Sequence, residues 1–498
     1  MKNQAQLIAY VDRFSGGRFR EFQELLLGSL KDVFGGVHLL PFFYPIDGAD
    51  AGFDPIDHSR VDPRLGNWDD VRALGEHVEI MADLIVNHVS SRSPQFVEYD
   101  EHGAESRYSG MFLTYTSVFG NGARESDLLQ LYRPRPGLPF TQYHLKHGEQ
   151  CLFWTTFTGQ QIDIDVHSTE GKRYLNCILQ QFHAAHIRAI RLDAVGYAVK
   201  KPGTSCFMIL ETLAFIAELT AQAHALGIEV LVEVHSHYLE QIEIARQVDW
   251  VYDFALPPLV LHTLYRRNAR DLKRWFEIRP RNAVTVLDTH DGIGVLDVGT
   301  DRKCRNLPGL LTSDEIDELV ETIHRRSHNE SRQATGAAAN NLDLYQVNCT
   351  FYDALGRNDD EYLIARALQV FSPGIPQIYY VGFLTGSNDL DLLRRTGVGR
   401  DINRHYYTAA EVRENLARPI VRSLVSLLKL RNRHLAFSGE FRVVPSRDDQ
   451  LVLEWRKESH WSCLEVELAK PSAVITCSTS GADQTNRVVW STASEVES

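Results

Sequence analysis

The sequence predicts an α/β protein: a (β/α)8 TIM-type barrel with two inserted subdomains and a small C-terminal antiparallel β domain. Three observations carry this. Eight short β-rich apolar runs recur along the chain, and helical periodicity lies between several of them, the pattern of a parallel sheet. Two of the connections are too long to be simple loops in a compact protein. From residue 436 onward the pattern changes to alternating β-branched segments with turn-like gaps.

The runs are QLIAYV (6–11), GVHLLPFF (36–43), EIMADLIVNH (79–88), IRAIRLDAVGY (187–197), IEVLVEVH (228–235), WVYDFAL (250–256), AVTVLDTHD (283–291) and IPQIYYVG (375–382). FREFQELLLGSL reads as a helix before the second run, and ILETLAFIAELTAQAHALG as one before the fifth. Eight such units close into a barrel. A doubly wound open sheet is the alternative, but no G-x-G-x-x-G follows the first run. The expected organisation is barrel at 1–88, insertion at 89–164, barrel at 165–291, insertion at 292–356, barrel at 357–435 and a β domain at 436–498. The second insertion holds a helix candidate, TSDEIDELVETIHRR, whose HRRSH end (324–328) is expected at the surface. The polar tail STSGADQTNRVVWSTASEVES is expected to be loosely held.

Hydrophobic residues make up 44% and charged residues 23%, as in an ordinary globular enzyme. The formal net charge of −13 argues against a nucleic-acid partner, which needs a basic face. Seven cysteines, an odd number without any C-x-x-C, argue against a disulfide framework or a zinc site. The start has no long apolar leader, and no stretch is long enough to span a membrane. A cytoplasmic protein without membrane contact is expected.

The chemistry lies at the C-terminal ends of the runs, where barrel sites form. Asp193, Glu233 and Asp291 end the fourth, fifth and seventh. Arg191 and Asp193 share one strand face, opposite Ile190, Leu192 and Ala194. One such Arg–Asp pair is as readily structural as functional. Three carboxylates at one mouth are what glycosyl transfer needs: one ionised to attack the anomeric carbon and one protonated to help the leaving group depart. Arg191 is placed to keep Asp193 charged. Glu233 has apolar sequence neighbours, which suits a general acid. Asp291 can complement an oxocarbenium-like transition state. His88 and His290 also end runs and can bind hydroxyls, Asp50 and Arg400 can take vicinal hydroxyls, and Phe53, Phe157 and Tyr197 can wall a sugar ring. Arg133 and Arg135 in RPRPG, Tyr345 and Gln346 in DLYQ, and His235 offer donors for an anion.

DLIVNH, AIRLDAVGY, VLVEVHS and VLDTHDG follow the order of the four signatures of the α-amylase superfamily, which the chain resembles. LPFFYPIDGADAGFDPIDH, YRPRPGLPFT, YDFALPPLVLHTL, TGAAANNLDLYQVN and VGRDINRHYY narrow the resemblance to the sucrose phosphorylase family, over roughly the first 435 residues. The resemblance implies Asp193 as nucleophile, Glu233 as acid/base and Asp291 as transition-state stabiliser. It implies Arg135 and Tyr345 as phosphate contacts, with Asp343 and Gln346 on a loop serving the fructosyl and phosphate states by turns. It implies sucrose, inorganic phosphate, glucose 1-phosphate and fructose as small-molecule partners, and a homodimer. The alternatives are a phosphorylase for glucosylglycerol, glucosylglycerate or sucrose 6′-phosphate, and a sucrose hydrolase or transglucosidase. Calcium-binding amylases commonly carry Lys-His after the nucleophile; Gly196-Tyr197 stand there in this chain, so no metal and no cofactor is expected.

Overall fold

The structure, a computed structural model, describes residues 1–48, 50–134, 137–301, 307–335, 346–478 and 486–492. Each of the eight runs supplies one strand: β1 Gln6–Ala9, β2 Gly36–Leu39, β3 Glu79–Ile85, β4 Ile187–Asp193, β5 Glu229–Val232, β6 Trp250–Asp253, β7 Ala283–Thr285 and β8 Ile375–Tyr379. Neighbours pair in parallel in chain order, and β8 returns to β1 with Gln377 opposite Gln6, closing the barrel. The strands are legible as apolar runs because a parallel barrel sheet is covered on both faces. The runs overshoot the strands, most at β7, which ends at Thr285, six residues before Asp291. Ala194 is also outside β4: its φ of 53° starts a tight turn, so it does not share the face of Ile190 and Leu192 as expected.

The barrel interior is not uniformly apolar. Tyr252 donates to Gln377 Oε1 at 3.1 Å, Gln377 Nε2 donates to Gln6 Oε1 at 2.7 Å, and His38 Nε2 lies 3.2 Å from Asp83 Oδ2. Buried polar groups are tolerated because each meets another.

Helices precede the strands on the outside. Thr169–Ala184, before β4, starts at Ser168, whose Oγ accepts from Gly171 N at 2.9 Å. Asp359–Phe371, before β8, starts at Asn358 in the same way and is buried from Glu361 to Phe371. Such caps satisfy N–H groups that the first turn leaves unpaired. Between β3 and β4, the strands His88–Ser90 and Gln161–Asp163 pair antiparallel, and Phe140–His144 with Gln150–Trp154 forms a hairpin. Between β7 and β8, Ile293–Gly294 pairs with Gln346–Val347, and the acidic helix spans Ser313–Arg326. Its C-terminal end departs from expectation: His324 and Ser327 are buried, and His324 Nδ1 lies 2.7 Å from Ser331 Oγ.

The C-terminal sheet comprises β9 Glu440–Val444, β10 Gln450–Lys457, β11 His460–Glu467, β12 Ser472–Ser478 and β13 Asn486–Ser491, antiparallel in chain order. Trp455 Nε1 donates to the carbonyl of Phe371 at 2.8 Å and ties this sheet to the barrel. The tail is not wholly loose as expected, since β13 lies within it and Trp490 Nε1 donates to Ser423 O at 3.1 Å. Among the described residues, no helix is long and apolar enough to cross a membrane.

Candidate active site

The parallel register places the carboxylates around one guanidinium. Arg191 on β4 stands directly opposite Asp83 on β3, and its Nη1 donates to Asp83 Oδ1 at 2.5 Å. The same Nη1 donates to Asp193 Oδ1 at 3.0 Å, two residues along the same strand face. Nη2 lies 2.5 Å from Glu233 Oε1, immediately beyond β5. The turn at Ala194 returns its N–H to within 3.4 Å of Glu233 Oε2. Arg191 and Asp83 are 2% and 0% exposed, against 12% for the Asp193 and Glu233 side chains, so the guanidinium forms a floor and the latter two carboxylates face the mouth.

Three carboxylates around one cation constrain the proton count. Burial pushes Arg191 toward the neutral form, but Glu233, Asp83 and Asp193 hold it charged. Burial also pushes Asp83 up; His38 and Arg191 outweigh it and set the carboxyl at about 2. Asp193 moves the other way. Burial raises it, Arg191 pulls it down, and the charges of Glu233, Asp83 and Asp50 raise it further, well above the usual carboxylate range. Glu233 does not occupy the apolar surroundings its sequence neighbours suggest, because the lateral strand brings Arg191 against it.

Asp291 sits across the mouth in a second cationic nest. Arg400 Nη1 is 2.9 Å and Arg404 Nη2 3.8 Å from its Oδ1. Burial raises this carboxyl, but the arginines outweigh burial and hold it ionised far below the usual range. Burial drives the adjacent His290 down to about 3, leaving it a neutral hydrogen-bonding ring. Phe53 stacks on that ring at 4.7 Å between centroids and 12° between planes. His88 Nε2 lies 3.1 Å from the Phe53 carbonyl. Phe157 meets His88 at 5.4 Å and Tyr197 at 5.3 Å, both edge to face.

The described residues expected at the site line one cavity, except Arg191 beneath it: the three carboxylates, Asp50, Phe53, His88, Phe157, Tyr197, His235, His290, Gln346 and Arg400. The space is about 1020 Å³ including open solvent, in keeping with a small-molecule site. Asp50 stands 4.0 Å from Arg400. Gln346 Oε1 accepts from Gly292 N at 3.2 Å. His235 stacks on Phe254 at 3.9 Å and places Nδ1 3.4 Å from Asp297 Oδ2; burial lowers its pKa, but Asp297 outweighs this and raises it. Arg135, Asp343 and Tyr345 lie outside the described residues. Arg133 is spent locally, donating to Gly137 O at 2.8 Å.

The sequence reading missed Asp83, Arg404, Asp297 and two further aromatics, Tyr132 and Phe207. The aromatics line the same cavity and stack at 4.4 Å. Only Asp83 had a usable signal, a charge inside an apolar run.

A family model described as "Alpha amylase, catalytic domain" matches residues 30–206. The chain is 60% identical to a sucrose phosphorylase of Agrobacterium vitis, over 96% of this chain and 98% of that one. It is 54% identical to a sucrose phosphorylase of Bifidobacterium adolescentis, over 94% and 92%. A crystal structure of sucrose 6F-phosphate phosphorylase from Thermoanaerobacter thermosaccharolyticum superposes with a TM-score of 0.89 at 36% identity, covering 98% of each chain.

Proposed function

Since the chain belongs to the sucrose phosphorylase family of the α-amylase superfamily, we propose that it converts sucrose and inorganic phosphate reversibly into α-D-glucose 1-phosphate and D-fructose, with net retention. The observation that carries the chemistry is the pairing of Asp193 and Glu233 on one guanidinium, facing a cavity whose far wall holds the ionised Asp291.

In the first displacement an Asp193 oxygen attacks the anomeric carbon of the glucosyl unit. The bond to the fructosyl oxygen breaks, and that oxygen takes the proton of Glu233. The products are free fructose and a β-glucosyl ester on Asp193. In the second displacement a phosphate oxygen attacks the same carbon, Glu233 recovers a proton from the phosphate, and the ester bond to Asp193 breaks. Two inversions give the α-phosphate. The first step needs a proton on Glu233 and an ionised Asp193. Arg191, touching both carboxylates, stabilises whichever is ionised. Asp291, held charged by Arg400 and Arg404, faces the positive charge that develops on the sugar ring.

Phosphate must enter beside an anionic nucleophile, so donors have to be supplied locally. His235, with Asp297 behind it, supports this part of the reading, and the resemblance adds Arg135 and Tyr345. The proposal includes a cytoplasmic homodimer that needs no metal. Six described cysteines, all unpaired, agree with a reducing compartment.

The test is exchange of labelled inorganic phosphate into α-D-glucose 1-phosphate in the absence of fructose. A double displacement through Asp193 exchanges label, and Asp193→Asn abolishes the exchange. A wild-type enzyme that turns sucrose over but exchanges no label rules out the covalent route.

A further inference from the structure

On the outside of the barrel, one histidine and two carboxylates converge from three helices. His262 lies on the helix Leu256–Arg266, Asp271 in the first turn of Arg270–Ile278, and Glu315 in the first turn of the insertion helix Ser313–Arg326. None of the three lines the sugar cavity. They line a separate cleft of about 790 Å³ including open solvent, together with Tyr265, Asn268 and Glu318. Their donor atoms all lie within 4.8 Å of one another.

The spacing at His262 is not that of an ordinary hydrogen bond. Its side chain is 7% exposed, and its Nε2 faces Asp271 Oδ2 across 3.6 Å, longer than a good N–H···O contact. Two ligands held tetrahedrally at about 2.0–2.1 Å from one zinc ion stand about 3.3–3.4 Å apart. The gap therefore matches a shared metal better, and the torsions of the half-buried Glu315 can bring in the third donor. Both carboxylates are also held from behind, as metal-ligating carboxylates are. Glu315 Oε2 accepts from the Thr312 N–H at 2.9 Å and from its hydroxyl at 2.8 Å, leaving Oε1 clear of the cap. These bonds outweigh burial and lower the Glu315 carboxyl, which is ionised. Arg270 Nε lies 3.4 Å from Asp271 Oδ1, the oxygen turned away from His262, and Arg266 is engaged by Glu318 at 2.7 Å.

We propose that His262, Asp271 and Glu315 form a metal site of the zinc class. One imidazole nitrogen with two carboxylate oxygens suits Zn²⁺ over Mg²⁺ or Ca²⁺, which take oxygen ligands. The fourth position opens to the cleft. The ion staples the insertion helix to two barrel helices. It shares no residue with the carboxylates that carry the reaction, so it adds stability and leaves turnover unchanged.

The test uses the full chain, stripped of metal with a chelator, as wild type, His262→Gln and Glu315→Gln. Zinc chloride and, as a control, magnesium chloride are titrated calorimetrically, and thermal melts are recorded with each. Glutamine at 315 still closes the cap with Thr312, so that variant keeps the helix start and loses the ligand. At a hundredfold excess over its Kd, Zn²⁺ raises the wild-type melting midpoint by roughly 2–3 °C and Mg²⁺ does not. Either substitution removes that rise and one equivalent of bound Zn²⁺. Glu233, His235 and Asp291 in the sugar cavity also have metal-ligand spacing. Zinc held there inhibits phosphorolysis and is indifferent to changes at 262 and 315. A wild type that Zn²⁺ does not stabilise, or folded variants that bind Zn²⁺ and melt with it as wild type does, overturns the proposal.

Discussion

Replacing Asp83 with Asn tests the charge balance beneath the site without touching any residue that faces the cavity. Asp83 is fully buried, donates nothing, and accepts from Arg191 at 2.5 Å. Burial raises its carboxyl, but His38 and Arg191 outweigh that and bring it from 3.8 to about 2. At ~1.36 kcal/mol per pH unit, this depression stabilises the folded state by about 2 kcal/mol at neutral pH. A lowered carboxyl contributes fully above its unfolded value of 3.8, and the contribution is lost as pH falls through about 2. Asp83→Asn therefore destabilises at pH 7 and narrows the gap to wild type below pH 3. Arg191 keeps two other carboxylates, so the loss stays below the ~3–5 kcal/mol of a broken isolated buried pair. For 498 residues at ~2 cal/mol/K each, about 2 kcal/mol lowers the melting midpoint by roughly 2 °C. The same change acts on Asp193, whose carboxyl loses one of the negative neighbours that raise it. The acid limb of the kcat/KM–pH profile then moves to lower pH. The readouts are thermal melts at pH 7 and pH 3 and the pH profile of phosphorolysis. An acid limb that moves to higher pH, or a melting midpoint unchanged at pH 7, refutes the charge balance drawn around Arg191.

Further changes address other parts of the mouth. Asp193→Asn lowers kcat by about 10⁴-fold or more, as loss of a nucleophile does, in single-turnover assays on sucrose. Glu233→Gln suppresses turnover of sucrose by on the order of 10²–10⁴-fold but much less that of α-D-glucosyl fluoride, whose leaving group needs no proton. Arg400→Met removes the guanidinium 2.9 Å from Asp291, so that burial is opposed by less positive charge; the acid limb moves upward and KM for sucrose rises. Exhaustive chelation leaves the rate of phosphorolysis unchanged.

The barrel was legible because its strands are nearly pure apolar runs, a pattern that parallel, doubly covered strands impose. The charged residues at their ends stood out for the same reason. What happens between strands was less legible. Glu233 has apolar neighbours in sequence, yet its partner Arg191 comes from the adjacent strand, through a register that sequence does not display. Asp83 stands out in the sequence as a charge inside an apolar run, but its role exists only through Arg191, more than a hundred positions away. In VGRDINRHYY two arginines compete for one role, and both Arg400 and Arg404 reach Asp291 because a short turn folds them to the same side. Lys200 reads as an ordinary loop lysine until Asn87, Asp163 and Tyr197 are brought around it. Within 324–328, Arg325 and His328 are exposed as expected, but His324 and Ser327 were misjudged: a charged helix end looks solvated, whereas these two turn inward toward Ser331.

The central claim is that phosphate, not water, takes the glucosyl group from Asp193 with retention. The direct measurement is nuclear magnetic resonance of the products formed from sucrose with and without inorganic phosphate. The account predicts fructose and α-D-glucose 1-phosphate in equal amounts at saturating phosphate, with the α-anomer formed from the first turnovers. Fructose released with free glucose alone at saturating phosphate, or a β-phosphate product, would contradict it.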